Sequence, residues 1–183
     1  MDSSKIRKTI SSITFSGKWT TIKFGQSFQP KDQNEVIQET PTFKSNMSRH
    51  PDFERAMDRF KVHLITRSMP FVKPDDKNGK LIDKKYFDEH LFEDDPRFMD
   101  VVVTGIIITT KKDMSGFQIL GTTSTVDDQI VKLKSPVISL LRSDGGYNYP
   151  LLMLADEHLE TLKLEALEYL NYKSNSQQLK LAV

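Results

Sequence analysis

Residues 101–124 read VVVTGIIITTKKDMSGFQILGTTS. Two runs rich in β-branched residues flank a polar connection, KKDMSG, so the segment predicts two antiparallel strands joined by a hairpin. Strict alternation along the first run puts Val101, Val103 and Ile107 on one side and Val102, Ile106 and Ile108 on the other. Apolar side chains on both sides predict a central strand. It is either covered on both faces or covered on one, with a partner on the other. The second strand is expected from Phe117 to Thr125. In QIVKLKSP, which follows, Val131 and Leu133 alternate with Lys132 and Lys134, and Pro136 ends the strand.

Working outward, ISSITF and WTTIKF form a second hairpin signal around Ser16, Gly17 and Lys18. Ile13 and Phe15 alternate with polar residues, as do Ile22 and Phe24, so one face is expected to be buried. Residues 25–47 are polar, contain Pro30 and Pro41, and read as a long flexible loop or an edge excursion. In HPDFERAMDRFKVHLITRSMP, Pro51 suits the first helical position, while Asp52 and Glu54 suit the helix dipole. Phe53, Ala56, Met57, Phe60 and Leu64 share one stripe, and Pro70 ends the helix. Residues 72–98 are acidic overall and read as a surface insertion, with a short helix near Lys84–Phe92. The last helix lies in ADEHLETLKLEALEYLNYK, with Asp156 as its N-cap and Leu159, Leu162, Ala166, Leu167 and Leu170 buried. The expected fold class is therefore α+β: one domain over 1–183, an antiparallel sheet with two main helices packed on one face.

The chain has 183 residues, 37% hydrophobic and 28% charged, with a formal net charge of +1. That supports an ordinary globular core and gives no global pull toward nucleic acid or anionic membrane, so any such binding needs a local patch. The absence of cysteine excludes disulfides, thiolate metal sites and cysteine nucleophiles, and fits a cytoplasmic setting. No run approaches the roughly 20 apolar residues of a membrane span, and MDSSKIRKTI lacks the apolar core of a signal peptide.

Acid–base and metal chemistry need clustered ligands, yet His50, His63, His90 and His158 are scattered and read as surface or boundary residues. Asp75 and Asp76, and Glu93 to Asp95, lack the spacing of a calcium loop. The glycines form neither a P-loop nor a dinucleotide fingerprint, and Ser115 with Gly116 lacks the context of a nucleophile elbow. No catalytic residue, metal ligand or cofactor is nominated, and the chain is expected to act without catalysis.

Binding remains. Lys5, Arg7, Lys8, Lys18 and Lys23 surround the first hairpin, with Trp19 and Phe15 interleaved, and Lys132 and Lys134 project from a later strand. A sheet face with lysines and an exposed aromatic can track a single-stranded backbone and stack bases. Alternatively Trp19 belongs to the core and the lysines protect sheet edges. A second candidate surface is the acidic segment Asp83–Asp95, where Tyr86, Phe87, Phe92, Glu93, Asp94 and Asp95 would engage a host protein by charge complementarity. A third is a nucleotide pocket with Tyr147 and Tyr149 stacking on the base. The apolar strand also permits a homo-oligomer.

PDFERAMDRF, RFMDVVVTGIIITTKKDMSGFQILGTTST, QIVKLKSPVIS and LETLKLEALEYLNYKSNSQQLKL, in that order, resemble a family of small uncharacterised proteins of tailed bacteriophages. The matching positions are Val101, Val103, Gly105 and Ile106 in the first strand and Gly121 and Thr122 in the second. They continue with Leu133, Ser135 and Pro136, then Leu159, Leu162, Glu165, Ala166 and Tyr169 in the last helix, and Gln177, Gln178 and Leu179 in the tail. The tail departs from the family's glycine-lysine turn at Tyr172, Lys173, Ser174 and Asn175. The resemblance implies a viral accessory protein of the host cytoplasm acting near DNA replication or recombination, on single-stranded DNA or a DNA-bound protein. It carries no catalytic residue across. The alternative is a phage protein that inhibits a host defence factor or sequesters a small nucleotide.

Overall fold

Strands β1 (Arg7–Ser16) and β2 (Trp19–Phe28) form the expected hairpin, closed by Gly17 and Lys18 with Ser16 opposite Trp19. Gly17 has φ 54°, a conformation that a two-residue hairpin demands and that costs glycine little. The structure is a computed structural model and describes residues 7–28, 37–69, 73–111, 114–140 and 149–171. Its other strands are β3 (Ile37–Glu39), β4 (Thr42–Ser45), β5 (Val102–Lys111), β6 (Met114–Ser124), β7 (Ile130–Lys134) and β8 (Ile138–Ser139). All pairings are antiparallel. The order is β3-β2-β1-β5-β6-β7, with β4 also pairing β2 and β8 pairing β6. Helices α1 (Pro51–Asp58), α2 (Lys61–Ser68) and α3 (Leu152–Leu170) complete an α+β fold. No helix among the described residues is long and apolar enough to cross a membrane.

The register explains which face is buried. Phe43, Ile22, Ile13, Ile106 and Ile119 lie side by side across five strands. The four isoleucines are wholly inaccessible, because this row faces the helices. Phe53 and Phe60 close over it, with Phe60 edge-on to Phe117 at 5.6 Å between ring centroids. The stripe predicted for the first helix is entirely buried, although a turn at Arg59 and Phe60 divides it into α1 and α2.

The alternation expected for β5 is corrected by a bulge between Val103 and Gly105. One extra residue shifts the pleat by one, so Val101, Val103, Ile106 and Ile108 turn to the core while Val102 and Ile107 lie on the far face. The sheet is thus covered on one face by helices, and among the described residues no element covers its other, open face. Gly121 sits where α2 crosses: a Cβ there would strike Leu64 Cδ2 and come 2.6 Å from the Val102 carbonyl. Gly121→Ala is therefore expected to cost about 1–3 kcal/mol by overpacking, read as a lowered urea midpoint with an unchanged slope.

Three further expectations change. The loop over 25–47 contains the end of β2 and all of β3 and β4, short strands whose polar residues hid the alternation; residues 29–36 lie outside the described residues. The helix near Lys84–Phe92 is one 3-10 turn, Lys84–Tyr86, followed by turns. Asp156 is not an N-cap, because α3 begins four residues earlier, where the Ala155 N–H bonds the Leu151 carbonyl. Burial of Leu151 and Ala155 outweighs the capping preference of an aspartate. Pro70, the tail beyond Asn171 and residues 141–148 lie outside the described residues.

Candidate nucleic-acid interface

Side chains of register-paired residues share a face, so the open face can be read across the strands. One row runs Lys44, Thr21, Thr14, Gly105, Leu120, Lys134. A second runs Lys23, Ser12, Ile107, Gln118, and a shorter one Val102, Thr122, Lys132. Lys23, Lys44, Lys132 and Lys134 are all exposed. Trp19, at the β2 end of the hairpin, is 40% exposed, and the Lys44 ammonium stands 4.9 Å from its ring centroid. That is a cation–π pair, and the tryptophan is a surface residue. Among the described strand residues the one carboxylate is Glu39. It pairs with Gln26, two residues from buried Phe24, which places it on the helix side.

The structure thus gathers Trp19, Lys23, Lys132 and Lys134 on one face, adds Lys44, and leaves Lys18 exposed in the turn. It removes two expected members. Lys8 points to the helix side, its ammonium 3.3 Å from Asn171 Oδ1 and 5.8 Å from the Phe24 ring; a bulge between Ile10 and Ser12 sets this parity. Phe15 packs edge-on to Phe53 at 5.1 Å, with the Arg49 guanidinium over it at 4.4 Å. Arg7 opens β1 opposite Ser27, and Lys5 lies outside the described residues.

The acidic segment loses one of its aromatic anchors. Phe92 is 4% exposed and stacks edge-on with Phe98, so it belongs to the core; Phe87 is half-buried against the same cluster. Tyr86 is 65% exposed. Glu93 bonds His90 at 2.6 Å, which raises the His90 pKa above its usual value. Asp95 caps the turn Pro96–Phe98 and pairs with Arg97, which holds its carboxyl below the usual range. Asp94 is exposed.

The histidines depart most from expectation. His63 and His158 are buried, not superficial, and their rings bond through His63 Nε2 and His158 Nδ1 at 3.1 Å. His63 Nδ1 lies 2.7 Å from the Tyr149 hydroxyl, and His158 Nε2 lies 3.4 Å from a Glu89 oxygen. Burial raises the Tyr149 pKa, so the phenol keeps its proton and donates to His63. His63 then donates to His158, and His158 to the Glu89 carboxylate, a chain of donors pointing one way. Burial, reinforced by the neighbouring His158, lowers the His63 pKa to about 3, and burial lowers that of His158. Both rings are neutral at neutral pH. The spacing carried a signal: His158 lies three residues after Ala155 and four before Leu162, on the buried stripe. Tyr149, buried and engaged, is removed as a base-stacking residue; Tyr147 lies outside the described residues.

One group among the described residues has metal-ligand spacing: His50, Asp52 and Glu165, with ligand atoms within 4.8 Å of one another. His50 Nδ1 accepts the Asp52 N–H as the N-cap of α1, and Asp52 is paired with Arg55. Compared with protein-family models, curated proteins and solved structures, the chain finds no match in any of the three.

Proposed function

We propose that this protein binds single-stranded nucleic acid on the open face of its sheet and acts without catalysis. In the phage setting that the family resemblance implies, this is an accessory role in DNA replication or recombination. The observation that carries the reading is the grouping of Lys23, Lys44, Lys132 and Lys134 with exposed Trp19 on a face where no described strand residue is acidic. It supplies the local patch that the overall charge of +1 does not. Lysines hold phosphates through release of counterions, and an aromatic ring stacks a base of any identity.

Trp19 is the chain's one tryptophan, so binding can be read from its fluorescence. Labelled oligonucleotides should bind at low salt and quench the tryptophan. With four lysines engaged, the logarithm of affinity should fall against the logarithm of salt with a slope of about −3, near −0.7 per phosphate. Trp19→Ala should weaken binding by about 1–3 kcal/mol, the value of one stacked base. Absence of binding at low salt, or binding indifferent to Trp19, would sink the reading.

A further inference from the structure

The row Lys44, Thr21, Thr14, Gly105, Leu120, Lys134 crosses six strands from β4 to β7. Its five interstrand steps of about 4.8 Å span about 24 Å. Lysines stand only at its two ends, and the floor between them is uncharged. At Gly105 the floor carries no side chain: a Cβ would come 2.8 Å from the Ile13 carbonyl oxygen and 2.8 Å from Thr14 Cγ2. Trp19 lies beside the Lys44 end.

From this geometry we infer that a nucleic-acid single strand runs across the β-strands along this row, held at its phosphates by Lys44 and Lys134, with a base stacked on Trp19. The inference rests on the single-strand reading above and adds the path and the length. A duplex would press a continuous line of phosphates onto the uncharged floor, whereas a single strand can turn bases toward it. The span fits about four to six nucleotides, within the range of single-strand-binding modules.

The test uses the full chain with Lys44→Glu, Lys134→Glu and, as a control on the helix layer, Lys163→Glu. Probes are a labelled oligothymidylate of about twelve residues, one of about three, and a duplex of about twelve base pairs. Each face variant should weaken the longer strand about tenfold and shrink the salt slope by about 0.7. The short strand, unable to reach both ends while quenching Trp19, should respond to Lys44→Glu and not to Lys134→Glu. Lys163→Glu should change neither.

Sensitivity to Lys44 without sensitivity to Lys134 at either length would overturn the crossing path while leaving the binding face intact. Equal affinity for the duplex through the same two lysines would overturn strandedness. If the unaltered chain binds no oligonucleotide at low salt, the underlying reading fails, and this inference with it. All three lysines are solvent-accessible, and circular dichroism checks that each variant folds.

Discussion

Phe60→Ala is expected to lower the free energy of unfolding by about 3–5 kcal/mol, the usual cost of deleting a buried ring. The residue is wholly inaccessible and stands at the junction of α1 and α2. There it meets Phe117 of β6 edge-on and lies 5.8 and 6.0 Å from the rings of His63 and His158. Its loss would open a void where two helices, the sheet and the histidine pair converge, and such a site can collapse little. Domains of this size are stable by about 5–15 kcal/mol, so the variant should unfold at a much lower urea concentration. Tyr86→Ala, by contrast, removes an exposed ring and should stay within about 0.5 kcal/mol. Equal midpoints for the two variants, followed by far-ultraviolet circular dichroism, would mean that Phe60 does not anchor the helix layer.

Acid should unfold the protein through His63. Its pKa is about 3 in the folded chain against an ordinary value of 6.5. The folded state therefore binds fewer protons than the unfolded state at any pH between the two. The stability is fully present above pH 6.5 and is lost as pH falls toward 3, by about 1.4 kcal/mol for each unit per proton. His158 adds in the same direction, since burial lowers its pKa too, while Glu89 opposes by favouring its charged form. Carboxylates such as Asp95, held low by Arg97, contribute only below their ordinary range near pH 4. A fall in urea midpoint between pH 6.5 and 4.5 thus belongs to His63 and His158, since the raised pKa of His90 acts in the opposite sense. His63→Leu should flatten that fall, and at pH 7 should itself cost about 1–3 kcal/mol by leaving buried partners unsatisfied. A variant with the same pH profile as the unaltered chain would remove His63 as the acid-labile group.

The order of strong elements was legible because their signals are periodic and long. The first hairpin, the stripe from Phe53 to Leu64 and the strands around Gly105 and Gly121 are all present where their patterns place them, although β6 starts at Met114 instead of Phe117 and Lys111 pairs with Met114. What the pattern missed has local physical causes. A strand of four residues, Thr42–Ser45, gives alternation nothing to repeat, and Lys44 was lost with it from the candidate face. The bulge at Val103 and Gly105 inverts parity without any mark that a period of two would notice. Residues far apart in sequence met in space: 95 positions separate His63 from His158, and no spacing rule reports such a meeting. Trp19 was undecided between core and surface, and hairpin parity settles it: Thr20 is buried, so its neighbour points outward.

The last helix and the open sheet face carry opposite charge. The last helix carries Asp156, Glu157, Glu160, Glu165 and Glu168 against Lys163 alone, while the opposite layer is cationic. Opposite charges on the last helix and on the open sheet face give these two surfaces opposite local potentials. If the proposed nucleic-acid ligand approaches, these local potentials would favour encounters that present the lysine side and disfavour those that present the last helix. That bias acts over about 10 Å at 0.1 M salt, so dilute electrolyte would speed docking and concentrated electrolyte would leave encounters randomly oriented.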